Sequence, residues 1–102
     1  MKWGTLKIGQ DTWTIVLANA DRGFADDKLE GVAAWDTQTI YVARKLGVRQ
    51  RSMVLLHEMM HIILPDAPEG TILRLERVLF PILWRGGWRP FERKKPKPRR
   101  DE

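Results

Sequence analysis

Apolar and polar positions alternate in the first half of the chain, with the period of half-buried β-strands. Ile40 and Val42 alternate with Thr39 and Tyr41, which predicts a strand over residues 39–43. Three earlier segments are also predicted to be strands, because polar, turn-rich stretches separate them: residues 5–8, 12–17 and 31–35. The pattern therefore predicts three or four strands in the first half.

The placement of glycine and proline in the second half of the chain predicts two helices there. Residues 49–64 contain neither Gly nor Pro, and a proline follows them directly. Pro68 and Glu69 suit the first turn of a second helix, which we expect to reach Arg85 with a kink or a restart near Pro81. Strands followed by helices indicate an α+β fold, here a small antiparallel or mixed sheet of three or four strands followed by two helices.

The composition excludes several classes of protein. The chain has 102 residues and no cysteine, so it has the size of one domain and has no disulfide, thiolate metal site or cysteine nucleophile. Its apolar runs, such as residues 53–56, are too short to span a bilayer. The N-terminus lacks the layout of a signal peptide. We therefore expect a cytoplasmic protein with no membrane partner.

The positive charge is confined to the C-terminal end. The chain has a formal net charge of +5, and residues 85–102 carry eight basic against three acidic side chains, so the preceding part is neutral. A basic tail of this kind is a candidate contact for nucleic acid, although a solvated tail with no partner is the simpler interpretation. The net charge therefore gives little indication of the function of the folded part.

The same end of the chain sets the domain boundary. We predict a folded domain over residues 1–85 and a basic tail over residues 86–102, beginning at a Gly-Gly pair. Residues 93–102 have no apolar side chain apart from two prolines, so we expect them to be disordered. Trp88 and Phe91 are expected to fold back onto the body.

Three polar residues interrupt the apolar run of the first predicted helix, and they carry the candidate chemistry. His57 and His61 are one turn apart, so they share a face and suit one tetrahedral metal ion. Glu58 points beside such an ion and suits a general base. The pattern is the H-E-x-x-H zinc motif, and the only two histidines of the chain both lie in it. A buried, hydrogen-bonded pair of core histidines is the alternative.

A third protein ligand has to be a carboxylate, because no histidine remains. Glu76 is preferred, since it falls among the residues expected on the inner face of the second helix: Ile72, Leu75, Leu79, Ile82 and Leu83. Glu69 is an alternative that also suits a helix N-terminus electrostatically. Asp66, which is close to the first helix, is a third candidate.

The metal motif followed by a carboxylate from the next helix resembles the gluzincin branch of the zincin metallopeptidases. More narrowly, the chain resembles the small zincin-like peptidases of phages and mobile elements related to the ImmA/IrrE type. In that family a Gly, an Asp five residues later and an Ile-x-Val strand precede the metal helix, and these residues are here Gly31, Asp36, Ile40 and Val42. The resemblance covers roughly residues 3–84. Leu64 and Ala67 exclude the metzincin branch.

The resemblance implies a minimal zincin-like metalloprotease fold, a bound Zn²⁺ and a location in the host cytoplasm if the chain is phage-encoded. It also implies that residues 39–43 form the edge of the sheet, where an extended peptide substrate pairs. Such peptidases usually have a Tyr or His that stabilises the oxyanion. Tyr41 is the only tyrosine, so it is either this helper or a residue that packs on the strand.

These observations predict a zinc-dependent metallopeptidase that hydrolyses peptide bonds, with Glu58 as the general base and His57, His61 and Glu76 as metal ligands. One alternative is a catalytically inactive zincin-like domain that acts as a binding module, associated with DNA through its basic tail. Another is a scaffold in which zinc only fastens the two helices.

Overall fold

The computed structural model describes residues 1–19 and 30–92 as a four-stranded mixed sheet followed by two helices. The α+β fold predicted from the sequence is therefore confirmed. The elements, in chain order, are β1 (Lys2–Ile8), β2 (Asp11–Ala18), β3 (Gly31–Ala34), β4 (Thr39–Ala43), α1 (Val48–Ile63) and α2 (Glu69–Arg85). The expectation of disorder in residues 93–102 lies outside the described residues.

The strand order is β1-β2-β4-β3, which places β4 in the interior of the sheet. Strand β4 pairs in parallel with β2 and antiparallel with β3. The expectation that residues 39–43 form the edge of the sheet is therefore wrong, because both edges of that strand are already hydrogen-bonded. Strand β3 is the edge on that side among the described residues.

One face of the sheet packs on α1 and forms the main core. Alternation brings Trp13, Ile15 and Leu17 of β2 to this face, and the parallel register aligns Ile40 and Val42 of β4 with them. All five side chains are buried. Burying apolar side chains of this size stabilises the fold by about 1.5–3 kcal/mol each. This core fixes α1 across the sheet.

A second apolar cluster joins α1 to α2. Leu56 and Met60 of α1 pack with Ile72 and Phe80 of α2, and all four side chains are buried. The inner face of α2 was expected to include Leu79 and Ile82, which is wrong: both are exposed. Helix α2 is apolar on more than one side, so its sequence alone does not show which side is buried.

A kink or a restart was expected near Pro81, and the restart is not observed, because α2 is one continuous helix over Glu69–Arg85. Pro81 has no N–H, so the ring removes one hydrogen bond from the helix without ending it. After α2, the N–H of Trp88 donates to the carbonyl of Leu83, and Phe91 is buried in the main core. Trp88 and Phe91 therefore fold back onto the body. Among the described residues, no helix is both long enough and apolar enough to cross a membrane.

Candidate metal centre

His57 and His61 direct their Nε2 atoms to one point on the side of α1 that faces α2. Their four-residue spacing puts them on the same face of the helix. The two Nε2 atoms are 3.1 Å apart, and the ring centroids are 4.8 Å apart. Both rings are only partly exposed, because α2 covers this side of α1.

Glu69, the first residue of α2, completes this cluster. Its Oε1 atom is 2.9 Å from His57 Nε2, and its Oε2 atom is 2.9 Å from His61 Nε2. The ligand atoms of the three residues all lie within 4.8 Å of one another. Neighbouring ligand atoms of a tetrahedral ion with bonds of about 2.0–2.1 Å are about 3.3 Å apart. The spacing of these atoms therefore fits one bound metal ion.

Glu76 contacts the opposite nitrogen of the same imidazole. Its Oε1 atom is 3.1 Å from His57 Nδ1, and its side chain is only 14% exposed. In the tautomer that carries its hydrogen on Nδ1, His57 donates to this carboxylate, and its Nε2 is unprotonated and able to bind a metal ion. That unprotonated Nε2 then faces an oxygen of Glu69. Two acceptors at 2.9 Å need a shared cation, which is a proton or a metal ion.

Glu76 was preferred as the third ligand on the sequence, whereas the geometry favours Glu69, which is the carboxylate that could hold a metal ion together with His57 and His61. Glu76 lies on the Nδ1 side of His57, away from the point that the two Nε2 atoms share. Glu69 and Glu76 are seven residues apart on α2, which is close to two full turns, so both carboxylates share one face of the helix. Asp66 is exposed in the turn between the helices and is not part of the ligand group.

Glu58 lies beside the cluster without belonging to it. Burial raises the pKa of its carboxyl above the ordinary value, while His57 and His61 lower it and Glu69 and Glu76 raise it further. These interactions show that Glu58 is electrostatically coupled to the whole cluster. A carboxylate with a raised pKa binds a proton more readily, which suits a general base.

A cleft of about 320 Å³ opens next to Glu58, between β3 and the two helices. Its described lining contains acidic, amide and apolar side chains together with the backbone of β3: Glu30, Gly31, Gln50, Met53, Val54, His57, Glu58, Leu73 and Glu76. No sequence motif pointed to Glu30, which precedes β3, or to Gln50 of α1, and the two meet only in the fold. Glu30 Oε2 accepts a hydrogen bond from Gln50 Nε2 at 3.2 Å.

Gly31 allows β3 to approach α1 closely at this cleft. A Cβ atom at this position would overlap Val54 Cγ1 and lie 3.2 Å from Glu58 Oε2. The missing side chain therefore leaves room for Glu58 against the edge strand. Gly31 was singled out in the sequence only through the family resemblance, and the structure supplies a steric reason for it.

Tyr41 lies away from the candidate metal centre. It alternates with Ile40 and Val42, whose side chains occupy the face of the sheet packed on α1. Tyr41 is therefore on the other face, in register with Val16 and Val32, where it lines a separate pocket with Met1. The expectation that Tyr41 is a catalytic helper is corrected on this ground, because the sheet separates it from Glu58.

Comparison with known proteins does not assign this chain to a family. No family model, curated protein or solved structure matches it. The resemblance to zincin-like peptidases stays a prediction. The case for a function therefore depends on the geometry of the residues described above.

Proposed function

We propose that this chain is a zinc-dependent metallopeptidase of zincin-like type. The observation that carries the proposal is the convergence of His57 Nε2, His61 Nε2 and both carboxylate oxygens of Glu69, with spacings of 2.9–3.1 Å. Two imidazoles and one carboxylate are a donor set that suits Zn²⁺ in a catalytic site.

Each residue of the centre has a separate role in this proposal. His57, His61 and Glu69 would hold the metal, which would supply Lewis-acid polarisation of a substrate carbonyl and acidify the attacking water. Glu58 accepts the proton of the attacking water and passes it to the leaving amine nitrogen. Glu76 fixes the tautomer and the orientation of His57, as carboxylates beside ligand histidines commonly do.

The free edge of β3 offers a place for an extended peptide. The carbonyl of Glu30 accepts the N–H of Ala43 at 2.9 Å, so alternate residues of β3 turn their backbone groups to β4. The same alternation directs the backbone groups of Gly31 and Ala33 to the outer edge, where no described strand pairs with them. A substrate strand added there would run past Glu58.

Metal content tests the ligand set directly. We expect about one zinc per chain in the purified protein, measured by inductively coupled plasma mass spectrometry. The variants His61→Ala and Glu69→Ala should lose it. Asp66→Ala is the matched control, because it removes an exposed carboxylate from the turn next to α2 and should keep the metal. A wild-type protein without any bound divalent metal would refute the proposal.

Hydrolysis tests the role of Glu58. The full chain, loaded with zinc, should cleave members of an unstructured peptide library, and the new termini can be identified by mass spectrometry. Glu58→Gln should retain zinc and lose cleavage, because an amide accepts no proton at neutral pH. Full activity in Glu58→Gln would contradict its assignment as general base.

A structural zinc site is the second candidate, and the position of Tyr41 favours it. The described lining of the cleft contains neither a tyrosine nor an arginine that could stabilise an oxyanion. In that case the metal would only fasten α1 to α2. Retention of zinc with no cleavage of any peptide, together with unfolding on chelation, would favour this alternative.

A further inference from the structure

Helix α2 has a second apolar side, which α1 does not bury. Four residues of this side, spaced four, three and four apart, lie along one line of the helix: Thr71, Leu75, Val78 and Ile82. We call these four residues the outer stripe. Leu75 borders the apolar cluster between the helices, whereas Val78 is 58% exposed and Ile82 is 63% exposed. The outer stripe therefore presents large apolar side chains to the surface.

The charges of α2 are divided between its two sides. Arg74 is four residues before Val78 and Arg85 is seven after it, so both arginines lie beside the outer stripe. Both are exposed, and no ion pair among residues 1–19 and 30–92 involves either of them. The acidic residues of α2 are Glu69 and Glu76, and both contact histidines of α1 instead. Positive charge therefore accompanies the outer stripe, and the negative charges of this helix lie towards α1.

We propose that the outer stripe docks an acidic amphipathic helix of a partner protein. Alternate spacing by three and four residues is the pattern with which one helix packs along another, so Val78 and Ile82 would contact apolar residues of the partner. Carboxylates at the margin of the partner's apolar face would pair with Arg74 and Arg85. An exposed apolar surface with a charged margin is typical of such interaction sites.

The charges make a second copy of this chain a poor occupant. A twofold interface joins the same surface of two copies, so α2 paired with itself would bring further arginines to the outer stripe and no carboxylate for them. A lipid surface is also a poor match. Helices that lie in a membrane interface carry Trp, Phe or Leu on the apolar face, whereas Phe80 and Trp84 of α2 belong to the cluster with α1. An acidic helix therefore fits best.

The test measures binding of a fluorescently labelled synthetic helix to the full chain by anisotropy. The acidic probe is as long as α2, with leucine at its heptad a and d positions and glutamate beside them. It should bind saturably, and a probe with lysine in place of glutamate should not. Val78→Gln with Ile82→Gln should weaken binding at least about tenfold, because two apolar contacts are lost. Arg74→Gln with Arg85→Gln should weaken it by up to about fivefold per arginine and reduce its dependence on salt.

The chain offers a matched control for each pair of variants. Arg77→Gln removes an exposed charge from α2 at a position rotated by about 100° from Val78, and Val48→Gln removes an exposed apolar side chain from the start of α1. Both should bind the acidic probe like the wild type, and circular dichroism shows that each variant is folded. Binding of the acidic probe does not depend on hydrolysis, so its result is separate from the proposed function.

Four results would overturn the proposal. The first is no saturable binding of the acidic probe by the full chain, and the second is equal binding of the acidic and basic probes. The third is a dimer in analytical ultracentrifugation that Val78→Gln with Ile82→Gln dissociates, because the outer stripe would then bind a second copy. The fourth is tighter binding to phosphatidylserine vesicles than to the acidic probe, which would identify a lipid surface as the occupant.

Discussion

The Nδ1 atom of His57 lies 3.1 Å from Oε1 of Glu76, on the side of the ring opposite to the point where Glu69 and His61 converge. This contact orients the imidazole ring through Nδ1, the nitrogen on the side away from Glu69 and His61. It suits the tautomer with Nδ1 as the donor and Nε2 as the acceptor, which is the tautomer that a metal ligand requires. The two carboxylates of α2 thus act on one histidine in different ways, and this difference can be measured.

Measurements of metal affinity can distinguish the role of Glu69 from the role of Glu76. Loss of a residue that orients a ligand typically weakens metal binding about 10–100-fold, so we expect this range for Glu76→Ala. Loss of the ligand in Glu69→Ala should weaken zinc binding more than that. Competition against a chromophoric chelator measures both constants. A larger loss in Glu76→Ala than in Glu69→Ala would restore Glu76 as the ligand.

Gly31→Ala tests the close approach of β3 to α1. The added methyl group would overlap Val54 Cγ1 and crowd Glu58, and overpacking of this kind typically costs about 1–3 kcal/mol of folding free energy. Urea denaturation measures the loss. Gly4→Ala is the control, because its Cβ would meet nothing within 4 Å. Adding Val54→Ala should restore part of the stability, and a failure to do so would contradict the steric explanation.

The local pattern of apolar and polar residues was sufficient to predict the strands and helices and the ends of most of them. Strand alternation located β4 at residues 39–43, as observed, and the absence of Gly and Pro located α1 to within one residue at each end. The order in which the strands pair in the sheet could not be predicted from the local pattern. That β4 lies inside the sheet depends on its parallel pairing with β2 across more than twenty residues of chain, and no local pattern encodes such a pairing.

The candidate site was predictable as far as it lies on one helix. His57, Glu58 and His61 are related by the helical repeat alone, so their arrangement follows from the sequence. Glu69 and Glu76 both satisfy the requirement for an inward carboxylate, and they differ only in which nitrogen of His57 they contact. The crossing of α1 and α2 decides that contact, and it depends on side-chain packing between Leu56, Met60, Ile72 and Phe80.

Glu58→Gln is expected to stabilise the metal-free fold at neutral pH. Burial raises the pKa of Glu58, so keeping its charge in the folded state costs stability, and the amide avoids that cost. The difference in Tm between variant and wild type should shrink as the pH falls below the ordinary pKa of a glutamate, where the carboxyl is protonated in both states. Asp66→Asn, at an exposed carboxylate, should show no such gain. Equal Tm values at neutral pH would contradict the burial argument.

Phe91→Ala tests whether the folded body extends past α2. The side chain is 2% exposed and packs in the main core, and truncation of a buried Phe typically costs about 3–5 kcal/mol. Thermal and urea denaturation should both show this loss. Glu92→Ala, at the exposed neighbouring position, should change stability by less than about 0.5 kcal/mol. A change of that small size in Phe91→Ala would mean that the segment after α2 does not stabilise the body.

The charge of the cleft predicts which peptides are cleaved fastest. Glu30, Glu58 and Glu76 line it, and its described lining residues include neither a lysine nor an arginine, so a Lys or Arg side chain should be preferred there over Asp or Glu. Glu30 is the carboxylate to change, because its only described partner is the neutral Gln50. An exposed charge pair contributes up to about 1 kcal/mol, so Glu30→Gln should lower kcat/KM for a lysine-containing peptide by up to about fivefold. The same variant should leave kcat/KM for a leucine-containing peptide unchanged, and Asp11→Asn, at the exposed first residue of β2, should affect neither peptide. If the wild type cleaves acidic and basic peptides equally well, the acidic lining does not select the substrate, whereas the metal centre is unaffected by that result.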